Sequence, residues 1–163
     1  MRKKLCLILV AVWGMALLAG CGGETQNAAS SSPQAEPETT HETDKKEQTT
    51  MKMNVQIGDQ TFTATLADTT AAQEFAQMLP MTITLDDYGG FEKVGSLGRS
   101  LTTSNSQTTT TAGDIVLYNG SNIVMFYGSN SWSYTRLGKI DDLTGWTDAL
   151  GHGSVTAIFT LAN

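Results

Sequence analysis

The sequence predicts a mainly β domain over residues 51–163, a closed β-barrel of about seven to eight strands with one or two short helices. Three observations predict it. Apolar residues alternate with polar ones in several short runs, the period of a half-buried strand. Turn signals built on glycine, asparagine and aspartate separate those runs at fairly even spacing. Closing such a set into a barrel also removes exposed strand edges, which otherwise invite aggregation.

The elements follow in chain order. Met53 to Ile57 alternates, and Phe62, Ala64 and Leu66 alternate after it, with Gly58-Asp59 between them as a hairpin turn. From Asp68 to Leu79 the period changes: Ala71, Phe75, Met78 and Leu79 recur at helical spacing, and Thr70 with Gln73 fits a capping box. Pro80 stops that helix. Met81, Ile83 and Leu85 alternate with threonines as a strand. Tyr88 to Leu101 is punctuated by glycine and gives no clear period, and Thr102 to Thr111 reads as a Ser/Thr loop with nothing to bury. Asp114–Tyr118 and Ile123–Tyr127 are apolar runs around Asn119-Gly120, a strong hairpin signal. Ser133 to Ile140 is a further strand, Asp141 to Leu150 a short helix or turn, and Val155 to Leu161 a final alternating strand.

The first fifty residues have a different character. Arg2, Lys3 and Lys4 precede an apolar run from Leu5 to Leu18, too short for a span that needs roughly 20 apolar residues. The pattern fits a signal peptide. Leu18-Ala19-Gly20-Cys21 closes it and resembles the lipobox of bacterial lipoproteins. That resemblance implies cleavage before Cys21, so that residues 1–20 are the signal, and a lipid on the Cys21 thiol at the extracytoplasmic face of the cell membrane. Residues 22–50 contain no Val, Ile, Leu, Met or aromatic residue. Such a segment cannot bury enough apolar surface to offset its chain entropy. With Cys21 it is read as a tether with a reach of roughly 30 Å.

Charge and cysteine content exclude several classes. The formal net charge is −6, and loss of the three basic residues of the signal lowers it to −9. An acidic domain lacks the basic footprint of a nucleic-acid binder. Cys6 and Cys21 are the two cysteines, so residues 51–163 offer no disulfide, thiol nucleophile or thiolate metal site. His152 is the single histidine of the domain, and no Gly-x-Ser-x-Gly elbow surrounds a serine. Asp86-Asp87 and Asp141-Asp142 are paired acids, but neighbours on a strand point to opposite faces, which favours turn and cap roles. No cofactor or metal is expected.

Two segments carry a family resemblance. Asn119 to Tyr127 resembles the hairpin and core strand of cyclophilins, and Gly138-Lys139-Ile140 resembles a later cyclophilin strand end. Gly113-Asp114-Ile115, Phe126-Tyr127 and Ser133 to Ile140 are more closely similar to the compact bacterial cyclophilin-like family. The resemblance implies a cyclophilin-like barrel. It does not carry over the prolyl isomerase machinery. The family's Phe-His-Arg segment is absent, and Met81 to Tyr88 holds acids and no arginine where it belongs. The pocket phenylalanine falls on Val124 and the pocket histidine on Tyr134.

By the same resemblance, Val124, Phe126, Tyr134 and Arg136 would line a shallow groove on the outer face of their strands, with Trp132 at its rim. The expected function is a non-catalytic binding module. Its partners would be the membrane, through the lipid, and a protein or peptide of the cell envelope; the domain itself is expected as a monomer. Two alternatives are an isomerase using a displaced arginine, Arg99 or Arg136, and a lipoprotein that binds a small molecule.

Overall fold

The computed structural model describes residues 50–163. The expected signal peptide, Cys21 and all of the tether but Thr50 lie outside the described residues. Nine strands and two short helices follow one another: β1 (Lys52–Ile57), β2 (Gln60–Leu66), α1 (Thr70–Ala76), β3 (Met81–Tyr88), β4 (Glu92–Ser96), β5 (Ser106–Thr109), β6 (Asp114–Tyr118), β7 (Asn122–Phe126), β8 (Ser131–Ile140), α2 (Trp146–Leu150) and β9 (Val155–Leu161). Eight strands close into an antiparallel barrel in the order β2-β1-β9-β3-β4-β7-β6-β8, with β8 returning to β2. The fifth strand stands outside that ring and pairs with Ser131–Tyr134 of β8.

Alternation decides what fills the barrel. Val55 of β1, Leu85 of β3, Leu117 of β6, Met125 of β7 and Phe159 of β9 are fully enclosed in one apolar core. An eight-stranded barrel can be filled by its own side chains, and here this apolar core occupies the interior. Phe75 of α1 joins the core edge-on against Phe159, with ring centroids 5.6 Å apart. Trp146 of α2 packs edge-on against Phe62 at 5.0 Å and donates its indole N–H to the Phe126 carbonyl at 2.8 Å.

The ring closes through three residue pairs: Ala64 opposite Ile140, Thr65 opposite Lys139 and Leu66 opposite Gly138. A Cβ on Gly138 would sit 2.7 Å from the Thr65 carbonyl oxygen and 3.4 Å from the Leu66 Cα. Both neighbours are backbone, so neither can rotate away. Between β6 and β8 the register shifts at Ile115/Val116, a β-bulge. It resets the alternation of β8, so that Leu137 and Ile140 both enter the core while Tyr134 faces outward. Outside the barrel Tyr134 forms a second apolar cluster with Val116, Val124 and Phe126.

Three local expectations need correction. The first helix is shorter than Asp68–Leu79, and its cap is Thr69, not Thr70. Thr69 has extended backbone (φ −133°, ψ 151°), and its hydroxyl accepts the Ala72 N–H at 3.1 Å. The same hydroxyl donates to the Arg136 carbonyl, which ties α1 to β8. Second, Tyr88–Leu101 contains β4. Third, the Ser/Thr run contains β5 and does bury side chains: Thr108 and Thr110 are enclosed, and their hydroxyls donate to the carbonyls of Ser106 and Asn130, each at 3.0 Å. Threonine's β-branched shape suits a strand, and a satisfied hydroxyl removes the penalty of burial. The β6–β7 hairpin has the expected chemistry, with Asn119 and Gly120 both at positive φ (48° and 72°).

Gly138→Ala tests the closure. Overpacking against fixed backbone should destabilise by about 1–3 kcal/mol and lower the melting temperature by roughly 5–15 °C, read by circular dichroism. An unchanged melting temperature would show that β2 and β8 do not approach this closely.

Candidate functional site

The outer wall of the barrel carries a solvent-open cavity of about 380 Å³. Its floor comes from the β4–β7 ladder, where Val94 stands directly opposite Val124. Tyr134 of β8 forms one wall and meets Tyr118 of β6 at 6.2 Å and Phe126 of β7 at 5.7 Å, both inclined rather than stacked. Asn130 donates its side-chain amide to the Tyr134 hydroxyl at 3.1 Å and fixes that ring. Two exposed aromatics stand at the opening, Trp132 (57% exposed) and Tyr88 (66%). Glu92 of β4 completes the lining.

Strand alternation divides β4 between two environments. Lys93 points inward and is fully buried. Its ammonium donates to Asp87 at 2.7 Å, to the Gly153 carbonyl at 2.6 Å and to the Gly151 carbonyl at 3.1 Å. It also lies 5.4 Å from the Tyr127 ring centroid, and the Tyr127 hydroxyl donates to Asp87 at 2.6 Å. The bonds from Lys93 and Tyr127 hold the Asp87 carboxyl below its ordinary value. Burial, with the Asp87 carboxylate beside it, pushes the Tyr127 phenol up to about 12. Every donor of the Lys93 ammonium has an acceptor, so this network braces the barrel.

Glu92 points outward and has no such support. It is only 7% exposed, and its Oε2 is enclosed without a hydrogen-bond donor. Burial raises its pKa. The Tyr134 phenol is raised too, by burial first and then by the neighbouring Glu92 charge. A buried carboxyl without a donor is an expensive arrangement for a fold to keep. Such groups concentrate where a ligand or a reaction uses them.

Of the five residues predicted from sequence, the structure brings Val124, Trp132 and Tyr134 together as cavity lining. Phe126 lies fully buried beneath and supports Tyr134 from behind. Arg136 does not line the cavity. It sits further along β8, opposite Val116, and its guanidinium is 3.7 Å from the buried Asp114 carboxylate, with Lys139 at 3.3 Å from the same oxygen. Sequence reasoning missed Tyr88, Glu92, Val94, Tyr118 and Asn130. Recognising β4 would have placed Glu92 and Val94 on one face by alternation alone.

The other candidates lie apart. Arg99 lines a separate polar groove with Glu74 and Gln77. Asp86 and Asp87 diverge, Asp86 accepting from Ser154 and Asp87 from Lys93. Asp141 pairs with Lys52 at 2.8 Å, while Asp142 accepts the Thr144 N–H. His152 is exposed in the loop between α2 and β9. Among the described residues no cluster of three metal-ligating side chains occurs.

This barrel, with its outer-wall cavity, can be set beside known proteins. A sequence profile described as the cyclophilin-like family matches residues 55–160. The chain belongs to the cyclophilin-like family. The solution structure of a hypothetical protein from Archaeoglobus fulgidus is similar, with a TM-score of 0.53 and 14% identity, covering 69% of this chain and 95% of that one. At that identity the likeness speaks to fold alone. No curated protein matches. The cyclophilin-like domain thus fills almost the whole of the described residues.

Glu92 gives the domain a pH dependence of known sign. Its folded-state pKa is raised above the ordinary 4.5, so the neutral form suits the fold. Below that ordinary value Glu92 is protonated whether folded or unfolded, and burial carries no charge penalty. As pH rises through the folded-state pKa the buried carboxyl must ionise, and the advantage is lost. Glu92→Gln removes this effect. The melting temperature of the variant relative to the parent should therefore climb as pH rises from about 4.5 to neutrality. A difference that stays flat, or that falls, would contradict the raised pKa.

Proposed function

We propose that this protein is a binding module of the cell envelope: a cyclophilin-like domain tethered by a lipid on Cys21 to the extracytoplasmic face of the membrane, with the outer-wall cavity as its ligand site. One observation carries the choice of site. The barrel interior is filled by its own core, while the outer wall holds an open aromatic cavity around a buried carboxyl that lacks a donor. Ligand sites are commonly such concave, mainly apolar places with few polar groups, and about 380 Å³ falls in their size range of roughly 300–1,000 Å³. The anchoring rests on the order and spacing of Arg2-Lys3-Lys4, the apolar run and Leu18-Ala19-Gly20-Cys21.

Binding is favoured over prolyl isomerisation because the twisted amide of that reaction needs a guanidinium donor at an apolar pocket. Neither Arg99 nor Arg136 lines the cavity. The cavity's dimensions suit a small molecule or one side chain of a partner, and leave the wider contact to the exposed rim at Tyr88 and Trp132.

Two readouts on the full chain test this function. In a bacterial host fed labelled palmitate the parent should carry the label in the membrane fraction and Cys21→Ser should carry none. The purified parent should leave the isomerisation of a proline peptide at its uncatalysed rate. Robust turnover that Arg99→Ala or Arg136→Ala abolishes would overturn the binding reading in favour of an enzyme.

A further inference from the structure

We propose that the outer-wall cavity receives an alkylammonium cation, a methylated amine carried by a small molecule; the inference rests on the cavity being the ligand site. Four aromatic rings, Tyr88, Tyr118, Trp132 and Tyr134, border one space. Tyr118 and Tyr134 are inclined at 64°, so they form a corner instead of stacking on each other. Ring faces carry partial negative charge and attract cations, most strongly where water is excluded.

Charge points the same way. Glu92 is the acidic residue of the lining, more than nine-tenths buried, with Oε2 lacking a donor. Among the described residues no basic side chain lies within ion-pair distance of it. The cation that strand neighbours would supply, Lys93, is turned inward and fully engaged by Asp87 and two carbonyls. A cationic ligand would supply the missing charge. An anionic ligand would be repelled by it.

The rest of the lining narrows the class of cation. A metal ion needs several oxygen ligands, and no acidic cluster provides them among the described residues. A primary ammonium brings three N–H donors and asks for three acceptors. The floor, Val94 and Val124, offers none, and on the walls the Asn130 side-chain carbonyl already accepts the Ser131 N–H while the Tyr134 hydroxyl already accepts from the Asn130 amide. Methyl groups on nitrogen bury well against valine and aromatic faces, the charge is shared between Glu92 and the rings, and an ammonium that keeps one N–H also offers a donor to the carboxyl; the quaternary ion of choline tests the charge and the rings alone. A volume of about 380 Å³ admits such a headgroup with space for a short chain toward the rim.

Choline and its neutral isostere 3,3-dimethyl-1-butanol separate charge from shape. Isothermal titration of the full chain in non-ionic detergent should show choline binding several-fold to about tenfold more tightly than the alcohol, the ratio expected for a cation shared by partly exposed rings and a carboxylate. Glu92→Gln should weaken choline by about tenfold and leave the alcohol unchanged, and Trp132→Ala should weaken choline several-fold, with Trp132→Phe restoring part of the loss. Trp132 is exposed, so its variants keep the inference testable even where Glu92→Gln alters folding. Choline keeps its charge at every pH, so its affinity should rise with pH as Glu92 ionises. Equal affinity for the alcohol, or indifference of choline to both substitutions, would overturn the cationic assignment while leaving the cavity as a ligand site for neutral groups. Absence of binding by either compound would also overturn it.

Discussion

The closing strand β8 is the constraint on which the rest of the structure depends. Its last residues complete the ring against β2, where Gly138 lets two backbones meet. Its middle pairs with β6 across a bulge, and its first residues carry β5. Because all three contacts are main-chain ladders, the direction of every β8 side chain is fixed by pairing. Trp132 and Tyr134 therefore reach the outer cavity because the same strand closes the barrel further along. A closed, filled barrel also removes the inside as a place for function, which leaves the walls and loops.

Adjacent residues on β4 show how differently the molecule treats two buried charges. Lys93 has an acid, two carbonyls and an aromatic face around it. Glu92, one residue earlier, faces out and keeps an oxygen without a donor. Chain geometry explains the opposite directions, since strand neighbours alternate. It does not explain why only one is satisfied. Folds tend to break their own local rules at functional sites. The unsatisfied member of this pair lies in the aromatic cavity, and the satisfied one braces the barrel.

Much of the barrel was legible from the chain. Alternation in Met53–Ile57 and Val155–Leu161 and the apolar run Ile123–Tyr127 give strands, and Asn119-Gly120 gives its hairpin. The segments that escaped share a cause. In β4 a charged pair and Gly95 interrupt the apolar pattern, because Lys93 enters the interior and Gly95 leaves room for Ile83 and Leu85. In β5 the buried residues are threonines, whose polarity hides their burial from a hydropathy reading. Half of the cavity lining sits on or beside β4 and in the Tyr118 turn, so missing β4 meant missing Glu92. Arg136 stands apart from the cavity lining for a different reason: alternation gives its face but not its distance along the strand, and its guanidinium lies 3.7 Å from the Asp114 carboxylate.

The measurement that bears most directly on Glu92 as the functional centre is its own titration, followed through the side-chain carboxyl carbon by nuclear magnetic resonance with and without choline. In the free protein the carboxyl should titrate above the ordinary value of 4.5. Saturation with choline should draw it downward, since a cation in the cavity favours the carboxylate. A Glu92 that titrates at or below 4.5 and ignores choline would contradict the account.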